Sequence, residues 1–261
     1  LYSNQYSSLL FSGDMNHGLI LTNENQGNSF ASGFVGYVNE NSFVDIHFKE
    51  CGNTADITGN TRVGGFFGEV FKNTKTDIQM ESSFNNGTIN ATDYVGGFAG
   101  LVNNNQNMMF VSNGCLNNGE IIGNFYLAGF IGDILSNPQY SISVDFLNSQ
   151  NNGAIQGKTL DQCGLFCVNR GYNYNIITKI FNSVNKGKVS GASVYGLSNF
   201  VNVSTNVVSM GLLKGSSKNV PFFPKSNPSE QHLYVHCQTC EDCQACFNHN
   251  SDGFYTVVDT N

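Results

Sequence analysis

The residues best equipped for chemistry lie late in the chain, where Cys237, Cys240, Cys243 and Cys246 follow one another at CxxC spacing. Four thiolates so placed can bind zinc, and His232, His236 and His249 add nitrogen ligands nearby. An iron–sulfur cluster fits less well, because the run lacks the longer last gap and the Pro after its fourth Cys. The eight cysteines allow complete pairing without requiring it, and Cys163 and Cys167 could close a local loop around a Gly-Leu pair. The histidines form no recognisable triad with Ser or Cys, and no phosphate-loop or dinucleotide fingerprint is present. No cofactor is expected.

What positions the remaining polar residues is a repeat. Val63-Gly64-Gly65-Phe66-Phe67-Gly68-Glu69-Val70 recurs as Val95-Gly96-Gly97-Phe98-Ala99-Gly100-Leu101-Val102 and as Leu127-Ala128-Gly129-Phe130-Ile131-Gly132-Asp133-Ile134. An earlier copy is Gly33-Phe34-Val35-Gly36-Tyr37-Val38, so Phe34, Phe66, Phe98 and Phe130 stand 32 residues apart. A second anchor, Asn85-Asn86-Gly87-Thr88-Ile89, keeps the same step to Asn117-Asn118-Gly119-Glu120-Ile121. Weaker copies follow at Asn151–Ile155 with Cys163–Leu165, and at Asn185–Val189 with Tyr195–Leu197, where the spacing loosens to 34 or 35 before returning to 32.

Alternation within each unit is that of strands. It places Phe66 and Val70 on one face, with Phe67 and Glu69 on the other. Stacked copies then give an apolar wall of Phe34/Phe66/Phe98/Phe130 and Val38/Val70/Val102/Ile134. The opposite column, Tyr37/Glu69/Leu101/Asp133, reads as solvent-tolerant. A second strand near 44–48, 76–80, 108–112 and 140–144 supplies Ile46/Ile78/Phe110/Ile142, and a third carries Ile57, Ile89 and Ile121. Three short strands per unit predict an all-β chain, a parallel β-helix of about six coils spaced about 4.8 Å apart. Asn53, Asn85 and Asn117 would chain their amides along the axis. An α-solenoid is excluded, since each interior Gly costs a helix about 1 kcal/mol.

The register puts Asp45 over Asp77 on an outward face, the best carboxylate pair for catalysis or calcium, followed by Met109 and Ser141 with Lys75 nearby. Glu69 and Asp133 are interrupted by Leu101. Tyr37, Phe67, Tyr94 and Tyr126 are the outward aromatics; Tyr94 and Tyr126 share a column with Arg62, as a sugar-stacking stripe or, by preference, a packing column. Sequons mark Asn86, Asn90 and Asn202 as glycosylation candidates, with Asn90 favoured because it faces away from inward Ile89. Cys51 and Cys115 fall in one column two coils apart, near 10 Å, too far to bond to each other.

Composition narrows the class. Charged residues are only 12% while Asn reaches 38 residues and Gly 29, the makings of repeated tight turns rather than of disorder. A net charge of −7 argues against nucleic acid and anionic membrane as partners. The chain starts at Leu1 and reads as a piece of something longer.

The Val-Gly-Gly-Phe-x-Gly and Asn-x-Gly-x-Ile anchors, over about residues 16–200, resemble the GLUG-type repeat of large bacterial and protist surface proteins. The pattern departs at Ala55, where the turn Gly is missing, and at Leu165 and Leu197, where the aromatic is replaced. The CxxC run resembles cysteine-rich ectodomains of protist surface proteins. That resemblance implies disulfides among Cys237, Cys240, Cys243 and Cys246, ranking pairing ahead of zinc. Three segments are expected: a solenoid over 1–218, a Pro-containing linker over 219–230, and a cysteine-rich segment over 231–261. The family implies an extracellular, non-enzymatic stalk or adhesin for a glycan or protein ligand on a host or neighbouring cell. Next come a filament or coat subunit joined end to end, and then a polysaccharide-active enzyme using Asp45 and Asp77.

Overall fold

The computed structural model describes residues 1–22, 29–137, 139–159, 161–167, 175–196, 198, 203–205, 208–209, 213–215, 234–235 and 256–257. Among them the regular elements are all strands, and the strands pair in parallel throughout. The chain winds as a parallel β-solenoid. The expected CxxC run, its histidines, Asn202 and the 219–230 linker lie outside the described residues. Tyr234–Val235 and Thr256–Val257 are described only as short strands.

One coil, from Thr61 to Asn90, shows how the sequence makes the turn. A lead strand Thr61–Gly64 doubles back at Gly65–Phe66 into a middle strand, Phe67–Phe71. Then come a broad strand Thr74–Glu81, an amide strand Phe84–Asn85 and a closing strand Ile89–Asn90. Five strands stand where three were expected. The Gly-Gly pair folds one anticipated strand in two, and the Asn-Gly turn separates another pair. Four consecutive coils, from Ala31 to Gln156, carry all five strands, with partial coils on either side. The corner between the broad and amide strands holds a left-handed residue in successive coils: Glu50, Ser82, Gly114, Asn148 and Asn182, with φ between 47° and 66°. Asn and Gly tolerate that region best.

Ile46, Ile78 and Phe110 pair in register at 32-residue steps, but Phe110 pairs with Val144, a step of 34. The expected Ile142 instead sits beside Met108. Inserting two residues preserves the alternation of a strand, so Val144 and Ile142 are both buried. The following steps are 34 from Ile155 to Val189 and 24 from Val189 to Leu213.

Two apolar cores run along the axis. The larger lies between the middle and broad sheets and holds Val38, Val70, Val102 and Ile134 against Ile46, Ile78, Phe110 and Val144. Its spine is a stack of rings, Phe34–Phe66 at 4.8 Å, Phe66–Phe98 at 4.8 Å and Phe98–Phe130 at 4.6 Å. Such pairs contribute about 0.5–1.5 kcal/mol each beyond the area they bury. The smaller core joins the lead and closing sheets through Val63, Val95 and Leu127 facing Ile57, Ile89, Ile121 and Ile155.

Between the cores, lead and middle strands meet backbone to backbone. A Cβ on Gly100 would overlap the Val63 nitrogen, and one on Gly96 would overlap the Ala99 and Phe130 carbonyls. This overturns the expected solvent-tolerant column. Leu101, Glu69 and Asp133 are buried under the lead sheet. Phe67 is also buried and joins Phe66 and Val70 in the larger core, because Gly68 turns to the lead strand and breaks the alternation.

Polar ladders bind the coils. Asn16, Asn53, Asn85, Asn117 and Asn151 each donate Nδ2 to the Oδ1 of the next Asn, ending at Asn185, at 2.7–2.8 Å. From Asn53 onward the same Nδ2 also reaches a carbonyl two residues ahead, as from Asn85 to Gly87 O at 3.0 Å. A second buried ladder, Asn41 to Asn73 to Asn105, runs at 2.9 and 3.0 Å. An exposed third links Asn152, Asn118 and Asn86. Gly65 and Gly97 lie against the first ladder, where a Cβ on Gly97 would overlap the Asn117 carboxamide oxygen.

Candidate functional site

On the outward face of the broad sheet the polar residues fall into short pairs two positions apart. Asp45 pairs with Asp77 across the strands, as expected, but the column continues to Met109, Ser143 and Ile177 rather than Ser141. The two-residue insertion before Val144 causes this shift. Asp45 Oδ1 lies 2.8 Å from His47 Nε2, and Asp77 Oδ2 accepts from Gln79 Nε2 at 3.0 Å. Each carboxylate is thus engaged along its own strand. Further on, Asp145 accepts from Ser143 at 3.2 Å and meets Lys179 at 3.5 Å. Lys75 does not neutralise the pair; its ammonium sits 4.4 Å from the Phe43 ring centroid. Met109 and Ile177 stand exposed on the same face. Among the described residues no group of three or more His, Cys, Asp or Glu could hold a metal ion.

The second cluster is the column Phe30/Arg62/Tyr94/Tyr126 on the lead sheet. Arg62, Tyr94 and Tyr126 are all left-handed, with φ of 57°, 54° and 53°, a backbone state that costs a bulky residue about 1–2 kcal/mol. In that state they lie over the column of the middle sheet. Phe30 stacks on Tyr37 at 4.2 Å, and Arg62 Nε meets Glu69 Oε2 at 3.2 Å. Asn103 Nδ2 donates to Glu69 Oε1 at 3.4 Å. The guanidinium also lies 5.5 Å from the Phe30 centroid and 5.9 Å from that of Tyr94. Burial pushes the Glu69 carboxyl above its ordinary value, while Arg62 and Asn103 pull it back. Burial likewise raises Asp93. It lifts Tyr37 and Tyr126 to about 12, helped by the Glu69 charge in the first case and Asp133 in the second.

This column does not make a sugar platform. Tyr94 and Tyr126 stack on each other at 5.2 Å with planes 10° apart, so their faces cover one another. The packing reading is the one the geometry supports. Arg62–Glu69 is a pair that sequence reasoning missed, because it took Glu69 to face solvent. The Asn41/Asn73/Asn105 ladder was also missed, although its 32-residue recurrence is plain.

Cys51 and Cys115 are free and buried, and burial raises both thiols. Cys163 and Cys167 form a disulfide with Cα atoms 5.6 Å apart. Cys163 follows Ala128 in register, and the Ile131–Phe166 bridge sets Cys167 beside Gly132. The bond therefore spans the positions where earlier coils press glycine backbones together. Asn90 is exposed on its closing strand, and Asn86 is exposed but accepts a hydrogen bond from Asn118 at 2.8 Å.

The fold and these surfaces define an all-β parallel solenoid with an amide-laddered interior and a broad sheet whose outward face mixes polar pairs with exposed Met109 and Ile177. No family model matches the chain, and searches of curated proteins and of solved structures find no match either.

Proposed function

We propose that the chain is an extracellular, non-enzymatic surface module, a rigid stalk that presents the outward face of its broad sheet to a glycan or protein ligand. The observation that carries this reading is the unbroken Asn16–Asn185 ladder beside the stacked Phe column. Each coil is hydrogen-bonded to the next in its interior as well as along its backbone. A rod stiffened this way projects a surface and keeps its residues in fixed register. The Cys163–Cys167 disulfide suits an oxidising compartment. The likeness of the repeat to GLUG-type surface proteins, and of the CxxC run to cysteine-rich ectodomains, points the same way.

The test has two arms. Antibody raised against the folded chain should label intact, unpermeabilised cells of the source organism, and the folded chain should bind members of a glycan array or a partner cell surface. Substituting Met109→Lys with Ile177→Lys should abolish that binding while leaving the circular dichroism unchanged. Label appearing only after permeabilisation would overturn the extracellular assignment. Hydrolysis of a polysaccharide that is lost in Asp45→Asn or Asp77→Asn would overturn the non-enzymatic one.

A further inference from the structure

Asn-Gly steps occur at Asn86, Asn113, Asn118 and Asn152. In each, the glycine N–H is a backbone nucleophile one residue from a carboxamide, with no glycine side chain to hold the two apart. All these asparagines are exposed, so access to water does not separate them. Their hydrogen bonds do. Gly119 N–H donates to Asn85 O at 3.1 Å, Gly153 N–H to Asn117 O at 3.1 Å, and Gly114 N–H to Leu147 O at 2.9 Å. Asn86 N–H donates to Asn53 O at 2.7 Å, but no acceptor among the described residues takes the Gly87 N–H. The preceding turn there carries Ala55 in place of glycine. The side chains differ in the same sense. Asn118 is held from both sides, donating Nδ2 to Asn86 Oδ1 at 2.8 Å and accepting from Asn152 Nδ2 at 2.7 Å. Asn152 in turn accepts from Gln150 Nε2. Asn113 Oδ1 accepts from Asn148 Nδ2 at 3.1 Å. Asn86 ends the exposed ladder: its Oδ1 accepts from Asn118, and its Nδ2 has no partner among the described residues.

We propose that Asn86-Gly87 is a self-modification site, at which the folded chain converts its own asparagine to aspartate and isoaspartate. Hydroxide takes the proton of Gly87 N–H, and that nitrogen attacks Asn86 Cγ. The new N–Cγ bond closes a succinimide as the Cγ–Nδ2 bond breaks, and Nδ2 leaves as ammonia with a proton from water. A second water then opens the ring at either carbonyl, with no oxidant or reductant consumed. At Asn86 the nucleophile and the leaving nitrogen are both free of hydrogen bonds, whereas Asn118 and Asn152 must first release both. Each bond that must break slows the reaction about twofold to tenfold. Conversion also reaches the interior. Isoaspartate routes the main chain through Cγ, adding a carbon between Asn85 and Gly87, and Gly87 O accepts from the buried Asn85 Nδ2 at 3.0 Å. In the other turns the bonded glycine N–H protects the ladder beneath it.

The test incubates the purified folded chain in mildly alkaline buffer beside a sample unfolded in guanidinium chloride, until the unfolded sample has converted at every Asn-Gly step. Both are then digested at acidic pH, and mass spectrometry of the peptides measures the amide-to-acid change at each position. Labelling by an isoaspartyl methyltransferase identifies the isoaspartate. In the folded chain Asn86 should convert about tenfold or more faster than Asn118 and Asn152, and about twofold or more faster than Asn113. In the unfolded chain, where no bond holds any glycine N–H, these differences should collapse. A folded chain in which all the steps convert at one rate, or in which another step leads, would overturn the proposal. So would a folded chain that keeps Asn86 intact while the unfolded sample converts, or a lead of Asn86 that persists undiminished after unfolding.

Discussion

Asn85→Asp changes one atom in the middle of the buried amide ladder and leaves the shape alone. In the wild type Nδ2 donates to Asn117 Oδ1 at 2.8 Å and to Gly87 O at 3.0 Å, while Oδ1 accepts from Asn53 Nδ2 at 2.7 Å. The new carboxyl keeps the acceptor and loses both donated bonds, leaving two buried acceptors facing an oxygen. Each unsatisfied group costs about 1–3 kcal/mol, so the variant should lose about 2–6 kcal/mol. Burial disfavours the charged form, so the folded-state pKa of the new group is raised above its unfolded value. The folded state then holds a proton that the unfolded state has released, and stability falls as pH rises from the acid range to neutral. Below that window the protonated carboxyl can donate one bond, and part of the loss returns. Urea unfolding followed by far-ultraviolet circular dichroism, with parent and variant compared at pH 4.5 and pH 7, measures both effects. Asn118→Asp in the exposed ladder is the control and should cost no more than about 1 kcal/mol. A midpoint for Asn85→Asp equal to the parent's at neutral pH would refute the ladder's role. A larger deficit in acid than at neutral pH would refute the electrostatic account.

Gln162 lies wholly buried in the apolar column after Leu127, and neither of its amide atoms finds a hydrogen-bond partner among the described residues. Gln162→Leu should therefore stabilise the protein by about 1–3 kcal/mol, read as a higher urea midpoint; a lower midpoint would show that the amide has a use. Gly36→Ala and Gly100→Ala occupy one repeat position with different surroundings. The first meets only the Phe30 carbonyl at 3.4 Å, whereas the second would drive a Cβ into backbone. Thermal melts should show little change for Gly36→Ala and a loss of more than about 3 kcal/mol for Gly100→Ala. Tyr37 and Tyr126 titrate at about 12 in the folded state, above the ordinary value of about 10. Their contribution to stability is intact below about pH 10 and declines as the pH climbs toward 12. Absorbance at 295 nm should show a late-titrating fraction that vanishes on unfolding.

Much of the fold could be read from the repeat, because stacking identical coils turns recurrence directly into contact. The Phe ladder, the Val38/Val70/Val102/Ile134 wall and the Asn53–Asn117 chain are fixed by position alone. The path within a coil escaped. Alternation assigned Phe67 and Glu69 to one outward face, but a strand that doubles back at Gly65 buries both faces of the middle strand. Glu69 finds Arg62 there, seven residues earlier along the chain, and no periodic pattern announces that meeting. The shift from Ser141 to Ser143 was hidden for a different reason. A two-residue insertion keeps inward residues inward, so hydrophobic patterning cannot tell the two registers apart.

The same distinction bears on function. Interior positions answer to the copies before and after them, which is why Phe, Val and Asn recur while their outward neighbours do not. In the broad sheet the column that starts with Asp45 and Asp77 becomes Met109, Ser143 and Ile177, while the adjacent inward column runs Ile46, Ile78, Phe110 and Val144 before reaching the buried Thr178. An outward residue freed from stacking can change without disturbing the rod, so the variation along this face is available for recognition. The fifth coil shows the converse case. Where Cys163 and Cys167 replace residues that pack by backbone contact in earlier coils, a covalent bond holds lead and middle strands together. The step lengths also depart from 32 in this part of the chain, so the bond falls where the repeat is least regular. Closing so short a loop constrains the unfolded chain by only about 2 kcal/mol. Its effect is local: it holds the doubled-back geometry of this coil in place of the glycine contact.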